Sequence, residues 1–173
     1  MISMLMKIFH DLRNYYSSNW EKKNNRKLQN WWPVSGRFDP KELEIVVGAI
    51  LTQNTNWRNV EKAIENMKSG GLVNAKAITN CETKKLQEII RPAGFFTQKS
   101  KRLKEICRFM QEFRGDFYKD ATREQLLEIN GIGRETADSI LLYACDKKEF
   151  VVDAYTKRLL SRYGVLPKDA KYE

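Results

Sequence analysis

Metal-binding side chains are scarce in this 173-residue chain, which holds three cysteines and a single histidine, His10. Cys81, Cys107 and Cys145 are widely spaced and form no Cys-x-x-Cys pair. Neither a zinc site nor a disulfide framework is encoded by such a set. No apolar run reaches the ~20 residues needed to cross a bilayer. The stretch from Met1 to Tyr16 places Ile2, Leu5, Ile8, Phe9, Leu12 and Tyr15 at amphipathic spacing, broken by charges. It predicts a helix rather than a secretion signal, and with it a cytoplasmic protein that has no membrane partner. Strand-type alternation, internal repeats and low-complexity tracts are also missing.

Positive charge, by contrast, is in excess. Lys and Arg number 31 against 22 Asp and Glu, a formal net charge of +9. Such a balance raises encounter rates with polyanions and makes their binding salt-sensitive. Residues 91–114 carry Arg91, Lys99, Lys101, Arg102, Lys104, Arg108 and Arg114 against only Glu105 and Glu112. Residues 13–41 show a second seven-to-two imbalance. Solvated helix faces account for many such residues, so the charge suggests a nucleic-acid partner without proving one.

Apolar residues make up 42% of the chain, enough for a core, and the length suits one domain or two small lobes around a shared cleft. Helix signals punctuate the sequence. Asp39-Pro40 predicts a cap with proline at the first helical position, opening a helix that runs through Leu51. Asn56 precedes another that reaches Gly70, with Trp57, Val60, Ile64 and Met67 as a core stripe. Thr79 with Glu82 predicts a third, ended by Arg91-Pro92. Thr97 begins a fourth, with Leu103, Ile106, Cys107, Met110 and Phe113 inside, closed near Gly115. The expected architecture is all-α, of about eight to ten helices.

The most informative segment runs from Thr122 to Asp153. Thr122-Arg123-Glu124-Gln125 has the capping-box form, and Leu126, Leu127 and Ile129 offer an apolar face. Asn130-Gly131 ends that helix, because both residues tolerate left-handed backbone angles. Ile132 points inward and pins the loop, while Gly133 has no Cβ to block a close approach. A second helix starts at Arg134, with Ala137, Ile140, Leu141 and Ala144 at helical spacing. Its first amide N–H groups suit a phosphate oxygen, and Arg134 adds a cation at the same spot. An ordinary helical hairpin with a glycine turn would read the same way. Twenty residues past Gly133, however, Val151-Val152 leads into Asp153, a carboxylate that could act on a nucleotide held there. Asp before a helix is also a common N-cap, and the two roles are compatible.

These residues resemble the helix-hairpin-helix and following aspartate of the endonuclease III superfamily of DNA glycosylases, the helix-hairpin-helix-GPD group. Val46-Val47-Gly48-Ala49-Ile50-Leu51-Thr52-Gln53-Asn54-Thr55 is similar to that family's early helix and DNA-entering loop. The likeness covers about Asp39 to Gly164. Within the superfamily it is nearest the endonuclease III-like 3-methyladenine DNA glycosylases, through Trp31-Trp32-Pro33, Leu51-Thr52-Gln53-Asn54-Thr55, Arg91-Pro92-Ala93-Gly94-Phe95 and Gly131-Ile132-Gly133-Arg134-Glu135. The resemblance implies two helical lobes with the hairpin at the mouth of an interlobe cleft: residues 1–38 in a mixed lobe, 39–150 a six-helix lobe containing the hairpin at 122–145, and 151–173 the start of a C-terminal part carrying the catalytic Asp. The rest of that second lobe is expected to be missing from this chain.

It also implies a chemistry. Bifunctional relatives carry a nucleophilic lysine two residues after the second hairpin glycine; here that residue is Glu135. A carboxylate forms no imine, so a monofunctional glycosylase without strand cleavage is expected. Asp153 is then the catalytic residue, stabilising positive charge on the deoxyribose and orienting or deprotonating water. Trp31, Trp32, Pro33, Trp57 and Glu135 match the base pocket, where indole faces favour a cationic methylated purine such as 3-methyladenine. Paired tryptophans serve core packing equally well. Gln53 matches the residue that wedges into the duplex, and Asn54, Gly131, Ile132, Gly133, Arg134 and Thr136 complete the DNA contacts. Leu127, Ile129 and Ile132 supply the backbone carbonyls that hold a monovalent cation in the family. No other cofactor is encoded: a [4Fe-4S] cluster would require a longer native chain continuing past Glu173. The expected partner is double-stranded DNA with a damaged base, bound by a monomer. Two alternatives stay open: a glycosylase of the same fold acting on uracil, thymine or an oxidised base, and a non-catalytic helix-hairpin-helix DNA-binding module.

Overall fold

A computed structural model describes residues 2–16, 36–167 and 169–170. Among them are ten α-helices, one 3-10 turn and no strand, in line with the all-α expectation. The chain divides into two compact units, one taking its described residues from 2–16 and 157–170, the other from 36–156.

The first unit contains α1 (Ile2–Tyr15) and most of α10 (Ala154–Arg162). Ile8 and Leu160 are its buried apolar side chains among the described residues, while Met4, Leu5, Met6, Phe9 and Leu12 of α1 are exposed.

The second unit is organised around α2 (Glu42–Leu51), which is apolar on all sides and buried from Leu43 to Leu51. A helix without a polar face belongs inside other helices. Here it packs against α3 (Trp57–Ser69), α6 (Phe96–Glu112) and α9 (Arg134–Tyr143). Its one acidic side chain in that region, Glu44, is 2% exposed and pairs with Lys68 at 3.3 Å. That pairing removes the penalty of an uncompensated buried charge.

Two helix starts differ from the sequence expectation. The helix expected at Asp39-Pro40 begins at Glu42; Lys41 precedes it without a side-chain cap, and the Asp39–Pro40 peptide is cis. Asp39 is drawn instead into a backbone bond, its N–H donating to the Val73 carbonyl at 2.8 Å. Thr79 opens no helix. It lies inside α4 (Ala75–Asn80), which Asn74 caps by accepting from the Ala77 N–H, and its hydroxyl donates back to the Ala75 carbonyl. The next helix, α5 (Thr83–Ile89), follows Glu82. An asparagine five residues earlier is the stronger start signal.

Other elements fall as the pattern indicated. Asn56 caps α3, accepting from the Asn59 N–H at 3.1 Å, and Gly70 ends it. Val60, Ile64 and Met67 are buried, while Trp57 is half-buried and donates its indole N–H to Glu61. After the 3-10 turn Arg91–Ala93, α6 buries Leu103, Ile106 and Cys107 and leaves Met110 half-buried, as is Phe113 just past its end. Then come α7 (Phe117–Asp120), α8 (Arg123–Leu127) and α9.

Candidate functional site

The hairpin between α8 and α9 is built from local signals. Thr122 accepts from the Gln125 N–H at 3.3 Å, and Gln125 accepts from the Thr122 N–H at 2.9 Å, a complete capping box. Gly131 takes φ +83°, a left-handed angle available to glycine at little cost. The Ile132 N–H then closes the turn on the Ile129 carbonyl at 3.0 Å, and the Ile132 side chain is buried. Arg123 forms a two-pronged bond with the buried carboxylate of Asp138, at 2.6 and 3.3 Å, fastening the start of α8 to α9.

Beyond the turn, Gly133 is the N-cap of α9 with no side-chain cap, so the first amide groups of that ten-residue helix are not satisfied by a side chain there. A Cβ built on Gly133 would meet nothing within 4 Å, and Gly133, Arg134 and Glu135 are exposed. This is open, positively polarised backbone at a helix start, the geometry that receives an anionic oxygen.

Gly131 is different. A Cβ there would sit 2.2 Å from Nε of Arg102, which crosses beneath the turn from α6. Arg102 also donates to Oε1 of Gln53 at 2.5 Å. The Gln53 amide in turn donates to the Gly131 carbonyl at 3.2 Å and to the Thr136 hydroxyl at 2.9 Å. Gln53 therefore faces the hairpin, joining the loop after α2 to the turn and to α9. The tip of that loop is Asn54, exposed and at φ +52°.

Sequence reasoning did not single out Lys99. Its side chain is 1% exposed, and its ammonium donates to the Leu51 carbonyl at 2.9 Å and the Ala93 carbonyl at 2.8 Å. Burial, assisted by the nearby Arg102 charge, lowers its pKa to about 8. The available signal was its register: Lys99, Leu103, Ile106 and Cys107 share one helical stripe, and lysine on a core stripe needs buried acceptors.

Asp153 lies just before α10. Its Oδ1 accepts from the Thr156 N–H at 2.7 Å, so the carboxylate caps the helix and is held in place while half-buried. Burial, then the Asp153 charge, push the Tyr143 phenol up. Trp31, Trp32 and Pro33 lie outside the described residues.

Three cysteines, Cys81, Cys107 and Cys145, lie far apart in the sequence. Burial pushes Cys107 up to about 12 and Cys145 to about 11. The described residues hold no group of three or more His, Cys, Asp or Glu side chains placed to bind a metal. No helix among them is long and apolar enough to cross a membrane.

Comparison with known proteins places this geometry. Residues 47–173 match the family described as HhH-GPD superfamily base excision DNA repair protein. A candidate DNA repair glycosylase of Methanocaldococcus jannaschii is 48% identical over 178 residues, covering 98% of this chain and 74% of that protein. A thymine-DNA glycosylase of Aeropyrum pernix is 29% identical over 143 residues, 79% of this chain and 63% of that protein. Relatives named endonuclease III or its homologues are spanned over 34% to 59% of their length. Among solved structures, the H. pylori 3-methyladenine DNA glycosylase bound to 1,N6-ethenoadenine is 36% identical with a TM-score of 0.78, covering 93% of this chain and 75% of that one. With the hairpin, the capped aspartate and these matches together, the chain belongs to the HhH-GPD superfamily of base excision DNA repair proteins.

Proposed function

We propose that this chain is a monofunctional DNA glycosylase that hydrolyses the N-glycosidic bond of an alkylated purine, such as 3-methyladenine, in duplex DNA. The observation that carries the reading is the capped carboxylate of Asp153 twenty residues after the hairpin. One oxygen is committed to the Thr156 N–H, which fixes the group's direction. The other is left to stabilise charge developing on the sugar and to hold the attacking water.

Each remaining step follows from this chain's own groups. The α9 N-terminus with Gly133 and Arg134 receives a backbone phosphate, and the buried Ile132 keeps the turn rigid under that load. Asn54, at the loop tip, enters the space left by the extruded nucleotide, while Gln53 holds the loop to the hairpin. Extrusion costs a few kcal/mol and is cheapest at damaged or mispaired bases. Trp57 and the Trp31-Trp32-Pro33 segment supply stacking for an electron-poor base. Carbonyls of Leu127, Ile129 and Ile132 would hold a monovalent cation, which would add positive charge for an anionic oxygen; the Ile129 carbonyl, though bonded to the Ile132 N–H, keeps a second lone pair.

Exposed Glu135 occupies the place of the imine-forming lysine, so base release leaves the strand intact and sodium borohydride traps no adduct. The alkylated-purine assignment is supported by the likeness to the 3-methyladenine enzyme. Excision of thymine or uracil opposite guanine is the second reading, favoured by the Aeropyrum relative. Duplexes each bearing one lesion, incubated with the protein and assayed for the released base, decide between them. Release of alkylated purines supports the proposal, and release of thymine or uracil alone replaces it with the second reading. Tight binding with no release from any duplex favours a non-catalytic binding module.

A further inference from the structure

Three non-glycine residues among those described have positive φ: Asn54, Phe95 and Asp146. Two of them share a feature that Asp146 lacks. Asn54 follows Leu51 by three residues, and Phe95 follows Ala93 by two; Leu51 and Ala93 are the two residues whose carbonyls Lys99 binds. Both Asn54 and Phe95 are exposed, Phe95 at 60%.

Their backbones are held while their side chains are not buried. On the first loop, Thr52 donates both its N–H and its hydroxyl to the Gly48 carbonyl, and Thr55 closes on Thr52. On the second, the Phe95 carbonyl accepts from the Gln98 and Lys99 N–H groups. A rigid left-handed apex that offers an aromatic ring to solvent is costly in both strain and apolar exposure. Such costs concentrate where a ligand is met. The buried ammonium fixes how the two apices are spaced, because both carbonyls lie within 3 Å of one nitrogen. Lys99 also lies 6.0 Å from the Phe95 ring centroid, and Arg102, one turn on, holds Gln53. One face of α6 thus governs both loops.

We propose that Lys99 is a positioning residue that sets the Asn54 and Phe95 apices as a matched pair for entry into a duplex, Asn54 filling the vacated space and Phe95 stacking against the base pair beside it. The proposal rests on the glycosylase reading in taking duplex DNA as the ligand and Asn54 as the residue that enters the vacated space; what it adds is the part played by Lys99. Lys99 touches no substrate; it acts through the Leu51 and Ala93 carbonyls. Replacing it with methionine keeps the stem's bulk and removes both bonds, so each loop base can drift independently.

The test uses the full chain and a duplex carrying 2-aminopurine at the intrusion point, whose fluorescence rises on unstacking. Lys99→Met is expected to reduce the fluorescence rise by roughly tenfold or more, since displacements near 1 Å cost that much in an aligned site. Affinity for the same duplex should stay within about threefold, because phosphate contacts dominate it. Phe95→Ala should reduce opening by itself and add nothing on top of Lys99→Met, a non-additivity that a remote stability defect does not produce. Should Lys99→Met fail to fold, Lys99→Gln, whose amide still donates, is expected to reduce the fluorescence rise relative to the wild type, by less than the tenfold given for methionine. Opening unchanged by both variants, or lost in step with duplex affinity, overturns the proposal, as does a wild-type protein that binds but unstacks nothing. A wild type that unstacks the probe, with the Lys99 dependence intact, yet releases no base from any lesion, upholds this proposal and removes the glycosylase reading.

Discussion

The hairpin turn at 128–133 and the loop at 52–56 meet through Gln53, yet they are stabilised in opposite ways. The hairpin's path is set locally, by the Thr122–Gln125 capping box, the left-handed Gly131 and the Ile132–Ile129 bond, none spanning more than three residues, and Gln53 and Arg102 add contacts from outside it. Asn54 and its neighbours depend on side chains from far along the chain, Lys99 at a separation of 48 and Arg102 at 49. A locally determined turn can grip a phosphate as soon as it forms. A loop held from a distance can be tuned, or unsettled, without altering the grip.

The strongest way to break that contrast is within the hairpin itself. Gly133→Ala places a methyl in open space at φ −87°, so the fold should keep or slightly gain stability, while duplex affinity drops by roughly tenfold, ~1.4 kcal/mol. Filter binding beside a melting curve checks both. Gly131→Ala should show the reverse order. Its left-handed φ and the collision with Arg102 predict a loss of about 2 kcal/mol or more in stability, measured by urea unfolding.

Two adjacent residues sharpen the other side. Gln53→Ala removes bonds to Gly131, Thr136 and Arg102 and should cost about 1–3 kcal/mol of stability. Asn54→Gly suits φ +52° and should change stability by less than ~0.5 kcal/mol, while unstacking of a 2-aminopurine duplex falls. Equal stability losses in the two variants would erase the distinction between holding and entering.

The smallest effect concerns pH. The folded-state pKa of Lys99 is about 8 against an ordinary 10.5, so between these values the unfolded chain binds the extra proton. Stability therefore rises with pH across that window, and the gain is absent below pH 8, where both states are protonated. Relative to Lys99→Met, the wild type should gain about 1 kcal/mol per pH unit there at most, followed by chemical unfolding at pH 7.5 and 9.5.

Much of this was legible in the chain. The capping box at Thr122, the Asn130-Gly131 stop, the start at Arg134 and the cap at Asp153 are local, and local signals survive the loss of context. The helix edges at Asp39 and Thr79 were not: a backbone partner at Val73 and a competing cap at Asn74 overrode their propensities. Gln53 could be matched to a DNA-facing position, but its partners 78 and 83 residues away carry no signature in the spacing. Lys99 left only a trace, a charge on an apolar stripe.

The most direct measurement is single-turnover base release by wild type and Asp153→Asn, side by side, on the duplex that the lesion survey selects. Asparagine still caps α10, so melting temperature and duplex affinity should hold, while the release rate falls by roughly 10²–10⁴-fold. A variant that binds and releases the base at the wild-type rate would contradict the assignment of the chemistry to Asp153.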